Sequence, residues 1–117
     1  MDLIDRDLIL VCISESQSNS QVIKEANEIA QNEKAKLIAL YVSDRDKFQE
    51  KKDNDYLQDN LSLAENIGAM VEIIYDDDIA SQIVNFAKLY KVKKIVIGKK
   101  RNDFKLLSLN TSIYDQV

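Results

Sequence analysis

The chain has no histidine, no proline and no tryptophan, and its 117 residues include only two glycines, Gly68 and Gly98, and one cysteine, Cys12. Each shortage removes a class of chemistry. Without histidine the usual Ser–His and Cys–His dyads cannot be assembled, so Cys12 has no base partner. A single cysteine excludes an internal disulfide, and its place inside an apolar stretch fits a reducing, cytoplasmic compartment. Two glycines leave little material for a glycine-rich loop that wraps phosphates with its backbone. No apolar run approaches the ~18–20 residues of a membrane helix. The opening Met1-Asp-Leu-Ile-Asp-Arg-Asp-Leu8 is too acidic, and its apolar part too short, for a signal peptide.

What remains is the composition of one folded domain, 45% hydrophobic and 31% charged, with a net charge of −4. The charge is unevenly placed. Between Lys88 and Lys105 stand eight basic residues and one acid, Asp103, which leaves eight basic against nineteen acidic residues elsewhere. So acidic a chain is a poor binder of bulk nucleic acid. The basic cluster still permits a local anion site near residues 98–101.

Apolar periodicity alternates between strand and helix along the chain. Leu8–Ile13 is a buried strand, and residues 19–33 place Val22, Ala26, Ile29 and Ala30 on one helical face. Ser18 and Gln21 have capping-box spacing at its start. Ala35–Val42 is the second strand, and the polar stretch Ser43 to Asp53 is expected to be an exposed loop. Leu57, Leu61, Ala64 and Ile67 form the next helical stripe, closed by Gly68 as a C-cap. Met70–Tyr75 is the third strand, then comes a face of Ile79, Ile83, Phe86, Ala87 and Tyr90, and Lys94–Gly98 is the fourth strand. A last helix is expected near Thr111. Strict β/α alternation implies an open, doubly wound parallel sheet with right-handed crossovers, a Rossmann-like α/β fold with strand order 3-2-1-4. The sheet is expected to lack a fifth strand, as in a domain excised from a longer protein or one completed by a partner.

In such a sheet, ligands bind beyond the carboxyl ends of the strands at the switch point. The residues there are Ser14 and Ser16 after the first strand, Ala39 and Tyr41 on the second, and Gly98 with Lys99, Lys100 and Arg101 after the fourth. The serine hydroxyls can bond a phosphate or a base edge, aided by unpaired N–H groups at a helix start; a plain helix-capping loop accounts for them as well. Tyr41 is either a surface on which adenine stacks or a half-buried sheet aromatic. Small Ala39 either admits a base or packs under a helix, and the basic triplet either reaches phosphates or is a solvated loop. Asp76-Asp77-Asp78 is accounted for as a helix cap, and with Asp44 and Asp46 it makes at most a weak Mg²⁺ site. Glu15 alone does not make the acidic cluster of a phosphoacceptor domain.

The segments Ile9-Leu-Val-Cys-Ile-Ser-Glu-Ser16, Leu37-Ile-Ala-Leu-Tyr-Val42, Asn60-Leu-Ser-Leu-Ala-Glu-Asn-Ile-Gly68 and Ile95-Val-Ile-Gly-Lys99 resemble the universal-stress-protein-like domain of KdpD-type potassium sensor histidine kinases. The similarity covers roughly residues 6 to 115. It implies an adenine-nucleotide-binding type of fold in the cytoplasmic, amino-terminal part of a membrane-bound kinase, with neighbouring kinase domains as partners. Some Gram-positive members of that family bind cyclic di-AMP through Ser-x-Ser, twenty residues, then Phe-Thr-Ala-x-Tyr. Ser14, Ser16, the spacing, Ala39 and Tyr41 match that pattern, and Leu37 and Ile38 replace its Phe and Thr. ATP-binding universal stress proteins carry Gly-x-x-Gly followed nine residues on by Gly-Ser or Gly-Thr. Here Gly98-Lys-Lys-Arg101 and Asn110-Thr-Ser112 lack the second and third glycines, which disfavours ATP held in that way. The resemblance thus implies a non-catalytic nucleotide sensor. The alternatives are a non-binding interaction domain that packs against its neighbours in the kinase or homodimerises through a sheet edge, and a stand-alone ATP-binding stress protein.

Overall fold

A computed structural model describes residues 7–51, 54–98 and 104–108. In chain order the elements are β1 (Leu8–Cys12), α1 (Asn19–Asn32), β2 (Lys36–Ser43), α2 (Arg45–Lys51), α3 (Asp55–Asn66), β3 (Met70–Tyr75), α4 (Ile79–Leu89), β4 (Lys94–Gly98) and β5 (Phe104–Ser108). They form one sheet in the order β3-β2-β1-β4-β5. The first four strands run parallel in the expected 3-2-1-4 order, with Val11 beside Ala39 on one side and beside Val96 on the other.

Two apolar layers sandwich the sheet, because successive strand residues point to opposite faces. Ile9, Val11, Ile13, Ala39 and Tyr41 pack with Val22, Ile23 and Ala26 of α1 and Leu57 and Ala64 of α3. Leu8, Leu10, Ile38, Leu40 and Ile95 pack with Phe86 and Ala87 of α4 on the other face. The stripe on α4 is only half covered: Phe86 and Ala87 are buried, whereas Ile79 and Tyr90 remain exposed.

Two expectations are corrected. The sheet has a fifth strand: Phe104–Ser108 pairs antiparallel with β4, Gly98 opposite Phe104 and Lys94 opposite Ser108. A parallel fifth strand needs a crossover of roughly a dozen residues or more, whereas an antiparallel return can follow directly. Residues 45–51, expected as loop, form α2. Its Arg, Lys, Gln and Glu are good helix formers, so propensity sustains a short helix that has no apolar stripe to announce it. The helix expected near Thr111 lies outside the described residues.

Three helices end alike. After α3, Gly68 adopts φ +89, its N–H reaching Glu65 O and that of Ala69 reaching Ala64 O, each at 3.0 Å. After α1 and α4 the same paired bonds form around Lys34 and Lys91, which are forced to φ 55 and 53. A side chain in that left-handed region is strained, by about 1–2 kcal/mol. Lys34→Gly and Lys91→Gly should therefore each raise stability by about 0.5–1 kcal/mol, the gain reduced by glycine's larger unfolded-state entropy. A urea titration measures it as a higher midpoint at unchanged slope.

At the amino ends of the strands, beside two of these helix ends, Glu33 bridges Lys94 and Lys93, the latter at 2.9 Å, while Lys93 also meets Asp7 at 3.3 Å. The hydrogen bond with Lys94, then that with Lys93, holds the Glu33 carboxyl below its ordinary value of 4.5. Because the folded state favours the ionised form, the contribution is complete above that value and fades as pH falls below it. Glu33→Gln should cost about 0.5–1 kcal/mol at neutral pH, and the gap from wild type should close in acid.

Candidate functional site

The carboxyl end of β1 is where the chain departs from regular structure. Ile13 N–H still donates to Leu40 O at 2.8 Å, and residues 14–18 then form a loop before α1. Two buried asparagines shape it. Asn19, the first residue of α1, accepts from Ser14 N–H and donates to Cys12 O, both at 3.1 Å. Asn60, in α3, donates from its amide nitrogen to Ser14 O at 2.8 Å and Ser16 O at 3.0 Å. Buried polar groups persist only when satisfied, so these bonds fix the loop's path.

Within the loop the serines form a ladder. Ser14 Oγ accepts from Ser16 N–H, and Ser16 Oγ accepts from Ser18 N–H, each at 3.2 Å. Ser16 Oγ also lies 2.8 Å from Ser18 Oγ. These are serine turns, in which the hydroxyl stands in for a backbone acceptor. The capping box expected of Ser18 and Gln21 is absent. Ser18 occupies the N-cap, but its backbone is already helical (φ −70, ψ −11) and its side chain makes no capping bond. A side-chain cap needs an extended N-cap residue, and the Ser18 hydroxyl is engaged by Ser16 instead. Gln21 turns to Glu25 at 3.1 Å. The result is a shallow polar groove at the start of α1, lined by Gln17, Ser18, Ser20 and Gln21.

Tyr41 is 3% exposed, so its ring belongs to the core and is not a platform for a stacked base. Only its tip reaches the loop, where the hydroxyl donates to Glu15 Oε2 at 3.1 Å. Burial pushes that hydroxyl above its ordinary value of 10; a hydrogen bond with Ser43 opposes the shift, and the Glu15 and Asp44 carboxylates add to it. Tyr41 therefore remains a neutral donor, and the crest of β2 is electronegative. Ala39 is wholly buried, its small side chain packed in the layer with α1 and α3.

Gly98 ends β4 close to α1: a Cβ there would stand 3.3 Å from Val22 Cγ2. The absent side chain thus lets the tip of β4 approach the helix that carries the serine loop. Lys99, Lys100 and Arg101 follow directly in sequence but lie outside the described residues. Sequence reasoning missed both asparagines, although Asn60 carried a signal. It stands three residues after Leu57 and four before Ala64, a polar residue in the buried stripe of α3. Also missed was the exposed pair on the edge beyond β2, Arg45 lying 5.0 Å from the centre of the Tyr75 ring.

The remaining candidates are structural. Asp78 caps α4 through Ser81 N–H at 3.2 Å, and Asp76 accepts from Asp78 N–H at 2.7 Å. Among the described residues no group of three or more metal-ligating side chains converges. Burial raises the Cys12 thiol to about 12, which leaves it unionised and unreactive. No helix of the described residues is long and apolar enough to cross a membrane.

An open α/β sheet with a polar, buried-asparagine-anchored loop at its switch point defines a class of domains that place ligands at strand tips. Comparison with known proteins narrows it. The profile of the Universal stress protein family matches residues 6–114, and the chain belongs to that family. It is 38% identical over 93 residues to the sensor protein KdpD of Clostridium acetobutylicum, a match that takes in 80% of this chain and 10% of that protein. The chain therefore corresponds to about a tenth of KdpD. Solved structures share the fold. A universal stress protein of Archaeoglobus fulgidus in complex with dAMP has a TM-score of 0.60 at 22% identity, over 79% of this chain and 80% of its own. A universal stress protein in complex with cAMP has a TM-score of 0.60 at 20% identity, over 81% and 74%.

Proposed function

We propose that this domain is a regulatory module of a KdpD-type sensor kinase that binds a nucleotide second messenger, cyclic di-AMP, at the serine loop and reports its occupancy to the kinase. In this reading the parent protein is anchored in the cell membrane and controls potassium transport, and the domain is cytoplasmic and non-catalytic. The observation that carries the proposal is the Ser14–Ser18 loop, held by Asn19 and Asn60 with its serine hydroxyls gathered after one strand tip. The nucleotides bound by the two structural relatives support the ligand class.

The charge distribution supports a division of roles in this reading. Glu15 and Asp44 make the β2 side unfavourable for phosphate. The phosphates lie toward the start of α1 and the tip of β4, where Gly98 is followed by Lys99, Lys100 and Arg101. Ser14 and Ser16 bond the ligand. Tyr41 holds Glu15 in place, and Ala39 acts only through packing.

Isothermal titration of the 117-residue chain with cyclic di-AMP, cAMP and ATP tests this. The expected outcome is tightest binding of cyclic di-AMP, weakened about tenfold by Ser16→Ala for one lost hydrogen bond. A domain saturated at about 100 times its Kd gains ~2.7 kcal/mol, a melting shift of several degrees. Absence of heat with all three ligands overturns the proposal; preference for ATP favours the stand-alone stress-protein reading.

A further inference from the structure

Parallel strands joined by returning helices put the strand starts and the ends of α1, α3 and α4 at one pole of the domain. Two backbone bonds tie its turns together, Lys36 N–H to Asp7 O at 2.8 Å and Lys93 N–H to Leu8 O at 2.7 Å. Among the described residues this pole carries six lysines, Lys34, Lys36, Lys88, Lys91, Lys93 and Lys94, against three acids, Asp7, Glu33 and Glu65. Glu33 and Asp7 are engaged by Lys93 and Lys94, while Lys34, Lys36, Lys88 and Lys91 are exposed. Asp44 and Asp76-Asp77-Asp78 stand with the serine loop at the other pole. Cations at helix ends complement the helix dipole, which accounts for the lysines but not for what stands among them. Leu89 is 75% exposed, more than any other large apolar side chain described, and Tyr90 and Met70 are 39% and 40% exposed. Leu89 and Tyr90 lie between lysines in Lys88-Leu-Tyr-Lys91, the Tyr90 ring braced by Phe86 at 4.5 Å between centroids. Met70 stands beside Ile38 and so faces the same α4 layer.

We propose that this pole docks peripherally on an anionic lipid bilayer, with Leu89 at the acyl boundary, Tyr90 at headgroup level and the lysines against lipid phosphates. A side chain as exposed as Leu89 protrudes rather than lining a groove, and a fluid acyl layer accepts it without a matching pocket. Tyrosine, apolar in body and polar at its tip, suits the headgroup level. Each lysine near an anionic surface strengthens attachment roughly fivefold, and its flexible stem lets the charge stay in water while the carbons lie along the lipid. The chain's net charge of −4 does not oppose this contact. The acids of the far pole lie beyond the ~10 Å screening length, in a molecule at least 29 Å across. Docked this way, the domain turns its serine loop toward the water, open to a soluble ligand. The surface is independent of the nucleotide reading, since the two sites occupy opposite ends of the sheet.

Co-sedimentation of the 117-residue chain with lipid vesicles tests the surface. The wild type should sediment with phosphatidylcholine vesicles rich in phosphatidylglycerol, stay in solution with phosphatidylcholine alone, and be released as salt rises. Leu89→Ser leaves every lysine in place and should weaken binding about tenfold. Lys88→Glu combined with Lys91→Glu should abolish it. Both variants should keep the wild-type circular-dichroism spectrum, because the substituted side chains are exposed. The chain has no tryptophan, so Leu89→Trp supplies a single reporter. Its emission should shift to the blue on anionic vesicles and be quenched by brominated acyl chains. No sedimentation with anionic vesicles at low salt, or equal sedimentation with neutral ones, overturns the proposal. So does a Leu89→Ser variant that binds as well as the wild type, which would leave a contact of charge alone, the kind an acidic protein makes.

Discussion

Replacing Asn60 by leucine should cost the domain about 2–4 kcal/mol and abolish nucleotide binding. The amide nitrogen of Asn60 bonds two loop carbonyls at once, Ser14 O and Ser16 O, while the side chain is 2% exposed. A leucine of similar volume fills the space but donates nothing, so both carbonyls lose their partner in a part-buried setting. Each acceptor left unsatisfied costs about 1–3 kcal/mol, reduced where water can reach the loop. Against a total stability of roughly 5–15 kcal/mol this is a large loss, and thermal melting should register it as about 10 °C. Asn60→Asp separates the two roles of the side chain. A carboxylate facing two carbonyl oxygens is driven toward its neutral form, so the folded state favours protonation. That variant should be weakest at neutral pH and recover as pH falls, the reverse of the Glu33 contribution.

Tyr41→Ala should cost about 3–5 kcal/mol, because it removes a buried ring from the layer formed by β1, β2, α1 and α3. Loss of binding in that variant would say nothing about ligand contact. Tyr41→Phe is the informative change. It keeps the ring, removes the hydroxyl with its hydrogen bonds to Glu15, at 3.1 Å, and to Ser43, and should cost about 1–2 kcal/mol. If Tyr41 acts by holding Glu15, the Phe variant retains cyclic di-AMP binding with an affinity altered by about tenfold or less, and urea unfolding together with titration distinguishes the two effects.

The legible parts of this fold were those dictated by burial on both sides. Parallel strands clothed by helices become continuous apolar runs, which bounds β4 to the residue as Lys94–Gly98; β3, Met70–Tyr75, is equally legible from its apolar run although it is largely exposed. The stripes of α1 and α3 were equally plain. Elements lacking that signature were missed: α2 has no apolar face, and β5 is a short antiparallel return whose pairing depends on β4. For the site, local sequence located the serine loop but not what holds it. Asn60 lies 44 and 46 residues from its two partners, and only tertiary packing brings a polar residue of α3 beneath the tip of β1. For Tyr41 the sequence leaves open a stacking surface and a half-buried sheet aromatic, for a related reason. Its position near the end of β2 suggested a rim, whereas α1 and α3 extend far enough to enclose the ring.

Amide hydrogen exchange with and without cyclic di-AMP tests the central claim most directly, since it reports where a ligand acts as well as whether one binds. Occupancy of the serine loop predicts slowed exchange concentrated in residues 14–20, together with the Asn60 turn of α3, and none in β3. Unchanged exchange throughout residues 14–20 at saturating ligand, or protection confined to another part of the sheet, would contradict it.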